Sequence, residues 1–142
     1  MAFLTKDELK TVSTSELINK ITAYDDSIVN AIIDESIGLM CSYLSKYYDT
    51  DAIFSATGNA RHKTVLKKLK DIVIFEIYER HTREINQAAK RRFDEAMLWL
   101  EKLNTGEFAD RTLPQITETS EETETPADIL FGNRNDRYSS NY

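Results

Sequence analysis

Helix breakers are scarce in this chain. Four glycines and two prolines in 142 residues leave little to interrupt regular structure, and that favours helices. A single cysteine, Cys41, excludes an intrachain disulfide framework and fits a reducing compartment. No apolar run approaches the roughly 18–20 residues that a membrane span requires, so no membrane partner is expected. The opening Met1-Ala2-Phe3-Leu4-Thr5-Lys6-Asp7-Glu8 turns acidic too early for a secretory signal. A soluble intracellular protein is expected. The two histidines, His62 and His81, have no Cys, Asp or Glu at a metal-ligand spacing, and His81 suits a helix C-terminus. No glycine-rich phosphate loop exists. The acidic pairs Asp25-Asp26 and Asp34-Glu35 are adjacent, so their side chains diverge on a helix and serve as caps or a solvated face. Cys41 falls on an apolar stripe and reads as a small core residue. Neither an enzyme nor a cofactor is expected.

What is present is helical periodicity. In Thr64–His81 the residues Val65, Leu66, Leu69, Ile72 and Val73 follow the spacing of one helical face, and Ile72–Tyr78 is apolar almost all round. Its β-branched content also suits a buried strand. Length decides for a helix, because the pattern runs about five turns without a breaker. A helix apolar on several sides must be wrapped by others, so this is expected to be the central element of an all-α domain.

The remaining elements follow in order. Thr5-Lys6-Asp7-Glu8 has the pattern of a capping box opening a short helix over about 6–11, and Ser13-Thr14-Ser15-Glu16 repeats it for a second short helix ending near Ile21. Asp25 or Asp26 caps a third helix over about 27–47, with Ile28, Ile32, Ile33, Ile37, Met40, Cys41, Leu44 and Tyr48 as its stripe. Residues 49–61 show no helical stripe and are expected to form a surface loop. Asn86 or Glu84 begins the last long helix, whose face is Ala89, Phe93, Ala96, Met97, Leu100 and Leu103; Gly106 ends it. The expected architecture is all-α: two short N-terminal helices and three long ones in a helical domain over 1–106. An extended acidic C-terminal arm over 107–142 follows.

Charge is unevenly spread. Of the formal −6, residues 107–142 carry 8 acids against 3 bases, whereas residues 61–92 carry 10 bases against 4 acids. Lys63, Lys67 and Lys70 share a helix face and, with Arg91 and Arg92, make a basic belt suited to DNA phosphates or to an acidic partner such as the arm. No aromatic residues interleave there for base stacking. The stretch Glu118–Thr125 is too polar to bury a core. After it, Ile129, Leu130, Phe131, Arg134, Arg137, Tyr138 and Tyr142 reappear, and residues 126–142 are expected to form a docking motif that orders on a partner.

The order of these features resembles the phage head–tail connector (adaptor, head-completion) proteins, particularly the Mu-like branch. Phe3-Leu4-Thr5…Glu8-Leu9 is similar to that family's start. Ile33-Asp34-Glu35-Ser36-Ile37…Ser42-Tyr43-Leu44-Ser45-Lys46-Tyr47-Tyr48-Asp49 resembles its third helix and exit. Lys70-Asp71-Ile72-Val73-Ile74-Phe75-Glu76-Ile77 is similar to its central helix. Phe93-Asp94-Glu95-Ala96-Met97-Leu98-Trp99-Leu100-Glu101-Lys102-Leu103…Gly106 resembles its close, with Leu113-Pro114 shortly after. The resemblance covers about residues 3–114; the 49–61 stretch lacks the prolines usual in relatives, and the tail 115–142 has no general counterpart. It implies a non-enzymatic virion protein at the head–tail interface, assembled in the host cytoplasm. Its partners would be a homo-oligomeric ring, typically of twelve subunits, the portal protein, and tail or further connector proteins, with packaged DNA only in non-specific proximity. The residues alone leave open a second reading, a small DNA-binding or regulatory helical module with a disordered acidic tail. Steep salt dependence of duplex binding distinguishes the two.

Overall fold

A computed structural model describes residues 2–13, 15–23, 25–81 and 86–116, with the backbone alone at His81. The chain opens with a 3-10 helix, Lys6–Thr11, followed by α1 (Ser15–Ile21) and α2 (Asp26–Leu44). A short α3 (Thr50–Ser55) and a 3-10 turn, Gly58–Ala60, lead into α4 (Lys63–His81) and α5 (Gln87–Thr105). The architecture is all-α. Among the described residues no strand forms, and Tyr48 and Gln115 make only an isolated antiparallel bridge.

The central helix is α4. Val65, Leu69, Ile72, Val73, Ile74 and Ile77 are each fully buried, because α4 packs against α5, α2 and α1. Each such side chain contributes about 1.5–3 kcal/mol on leaving water. Five residues separate α4 from α5, which suits an antiparallel helical hairpin. Phe75 and Phe93 stack across the pair with centroids 4.3 Å apart. From α5, Ala89, Ala96, Leu100 and Leu103 complete the core.

Local signals set the ends. Glu8 reaches back to accept the Thr5 N–H at 3.1 Å, the Asp25 carboxylate accepts from the Ser27 N–H, and Asn86 Oδ1 accepts from the Ala89 N–H. Gly106 stops α5 in the left-handed region at φ +83°.

Two expectations are corrected here. Residues 49–61 are not a loop throughout. Asp49 accepts the Ala52 N–H and caps α3, and that single turn and a half drives Ile53 into the core at 2% exposure. One buried residue in six is too sparse to register as a stripe. The buried face of α2 also differs: Val29, Ile33, Ser36, Met40 and Leu44 are deepest, while Ile28, Ile32, Ile37 and Cys41 are only half-buried. The deep face consists of the positions spaced three and four apart along Val29–Leu44, and a serine sits among them.

Beyond Gly106 the backbone returns to the helices. Leu113 plugs the core at 2% exposure, the Asp49 N–H donates to the Pro114 carbonyl at 2.9 Å, and the Ile116 N–H donates to the Tyr47 carbonyl at 3.3 Å. Tyr48 Oη accepts the Asp110 N–H. The Leu113-Pro114 pair thus closes the base of the bundle.

Candidate functional site

Helical spacing puts Lys63, Lys67 and Lys70 along one flank of α4, and the hairpin brings Arg92 of α5 alongside. Together with Thr11, Val12, Leu66 and Asp71 they line an open groove of about 460 Å³ between the N-terminal segment and the α4–α5 hairpin. Lys67 Nζ lies 3.4 Å from the Asp71 carboxylate and Arg92 Nε lies 3.7 Å from its other oxygen. Lys70 Nζ donates to Thr11 Oγ1 at 3.1 Å. Asp71 is 3% exposed, so its charge is tolerable only because two cations flank it. Arg92 Nε is itself buried and has no hydrogen-bond partner among the described residues. The Lys67 side chain is 67% exposed and projects into water.

Of the five belt residues, the groove gathers Lys63, Lys67, Lys70 and Arg92. Arg91 is elsewhere, beside Gln87, Lys90, Asp94, Glu95 and Leu98. The turn of about 100° between consecutive helical residues carries Arg91 out of the groove that Arg92 lines. The docking candidates Ile129, Leu130, Phe131, Arg134, Arg137, Tyr138 and Tyr142 lie outside the described residues.

Three polar contacts near the groove were not legible locally. Arg61 Nη1 and Nη2 donate to the two Glu8 oxygens at 3.0 and 2.7 Å, and Nη1 also donates to the Phe3 carbonyl. The guanidinium holds the Glu8 carboxyl at about 2, well below its ordinary 4.5. His62 Nε2 lies 2.6 Å from Thr112 Oγ1 and 3.8 Å from the Asp110 carboxylate, tying the returning segment to the start of α4. Asp71 is the third. Its available signal is an acid set directly before the apolar run Ile72–Tyr78, four residues after a lysine. Cys41 is half-buried, and desolvation raises its thiol above the ordinary value, which weakens it as a nucleophile. Among the described residues no group of three or more His, Cys, Asp or Glu is placed to hold a metal ion. No helix there is long and apolar enough to cross a membrane.

A second surface lies at the base. Tyr47, Phe108 and Ile116 are exposed by 40%, 44% and 46%, and a shallow cleft beside them is lined by Tyr47, Tyr48, Leu103, Gly106, Phe108, Ala109 and Gln115. It shares no lining residue with the cationic groove.

Fold and groove define a small all-α protein with a cation-lined flank and a separate apolar base. The family described as Bacteriophage Mu, Gp36 matches residues 2–129. The chain belongs to that family and is a phage protein of the structural or morphogenetic kind. The match runs past residue 114, through the acidic stretch to Ile129, so that part of the tail does have a counterpart in relatives. No curated protein and no solved structure matches the chain.

Proposed function

We propose that the chain is a head–tail connector subunit of the Mu-like kind, without enzymatic activity. It forms a ring, typically of twelve copies, below the portal, extends the DNA channel and offers a platform for the tail. The observation that carries this reading is the family match over residues 2–129. The geometry is compatible with it. A closed ring built by head-to-tail contact needs two different surfaces on each subunit, and the exposed apolar base, separate from the cationic groove, is one such surface. Exposed Tyr47, Phe108 and Ile116 suit the centre of a subunit contact, and Leu130, Phe131 and Tyr138 suit an arm that clasps a neighbour, the portal or a tail component.

Infection by a phage whose copy of this gene carries an early stop codon tests the reading. DNA-filled heads that accumulate without tails are expected, and normal virions in normal numbers would sink it. The four groove cations favour a second reading as a duplex-binding regulator. A protein of formal charge −6 with a carboxylate at the groove floor is poorly suited to that role.

A further inference from the structure

The cationic groove and the acidic run of the same chain are complementary in charge and comparable in spacing. We propose that Glu118–Glu124 of the chain docks into its own groove between the N-terminal segment and the α4–α5 hairpin, independently of any ring. Glu118, Glu121, Glu122 and Glu124 bring four carboxylates, and Lys63, Lys67, Lys70 and Arg92 present four cations, one carboxylate, Asp71, being already among them. In an extended segment Glu118, Glu122 and Glu124 fall on one side with Ser120, so that three of the four carboxylates face one way, while Glu121 falls on the other side with Thr119 and Thr123, because side chains alternate. The two even-numbered neighbours Glu122 and Glu124 are then about 7 Å apart, comparable to the roughly 6 Å rise between Lys63 and Lys67.

The returning segment passes beside the start of the groove. The last described contact is the Ile116 N–H on the Tyr47 carbonyl. Thr112, four residues earlier, touches His62, the residue before Lys63. From Ile116, Glu118 is two residues on and Glu124 eight, spans of up to about 7 and 27 Å, and the Lys63–Lys70 row is only about 10 Å long. A tether this short raises the local concentration of the acidic run to the millimolar range, so weak, screened ion pairs suffice. Duplex DNA is the less suitable occupant, since its rigid phosphate rows would meet a concave cleft with Asp71 at its floor.

The test uses the full chain carrying Cys41→Ala and a nitroxide on Ser120→Cys, with 15N-labelled backbone. At low ionic strength the label is expected to broaden the amide signals of Thr11, Leu66, Lys67 and Lys70 selectively. Broadening should fall by about half or more when salt is raised to about 0.5 M, and likewise in Lys63→Gln/Lys70→Gln, which leaves both Asp71 ion pairs in place. Uniform or absent broadening overturns the proposal. So does broadening that is equally strong when the label and the 15N sit on different molecules, which would assign the contact to a second copy. Groove amides that respond to a short duplex but not to the label would assign the groove to nucleic acid and overturn it as well.

Discussion

Replacing Glu8 with Gln isolates the charge in the clamp between the N-terminal segment and the turn before α4. Gln at this position still accepts the Thr5 N–H and keeps the helix start, but it loses the paired ionic contact with Arg61. The carboxyl falls from 4.5 to about 2, a linkage of roughly 3 kcal/mol at 1.36 kcal/mol per unit. The Glu8 side chain is 31% exposed, so solvent screening reduces this to about 1–2 kcal/mol. Because the folded-state value is depressed, the stabilisation is present above about pH 4.5 and is lost as pH falls through about 2. Urea unfolding followed by circular dichroism is expected to show Glu8→Gln about 1–2 kcal/mol less stable near pH 7, with the gap to the parent closing between about pH 4.5 and 2. A gap that stays constant across that range, or no gap near neutrality, would refute the reasoning.

Asp71→Asn removes the charge that Lys67 and Arg92 share in a nearly closed site; a loss of about 2 kcal/mol is expected in chemical denaturation. Gly106→Ala forces a Cβ into φ +83° and to 3.4 Å from Tyr47 Oη, which should cost about 1–2 kcal/mol and lower the melting temperature by several degrees. Glu76 is raised in the folded state by desolvation and by Glu79 and Glu35, so its charge works against folding once pH exceeds about 4.5. Glu76→Gln should therefore stabilise slightly near neutral pH, by about 0.5 kcal/mol or less after screening, and should give no gain at pH 3.

The long helices were legible in the sequence because their patterns repeat over many turns. Asn86, Gly106 and the α4 stripe from Val65 to Val73 give both type and limits of α5 and α4. The short α3 was not legible, since Asp49 as cap and Ile53 as sole buried residue are local signals too brief to separate from a polar loop. The groove was half legible. Lys63, Lys67 and Lys70 share a face by spacing alone, whereas Arg92 joins them, and Arg91 does not, only through the rotation of α5 in the hairpin. Asp71 stands between a lysine and the start of an apolar run, and Glu8–Arg61 and His62–Thr112 join residues about 50 positions apart. Such pairings depend on how elements pack, which periodicity within one element does not encode.

The central claim is that this phage protein is a ring subunit of the head–tail connector. The most direct measurement is negative-stain imaging of the full chain mixed with the portal protein of the same phage. The account predicts a ring stacked on the portal, sharing its axis, and its loss when residues 126–142 are deleted while helicity is unchanged. No association with the portal, together with tight, salt-sensitive binding to duplex DNA, would contradict it.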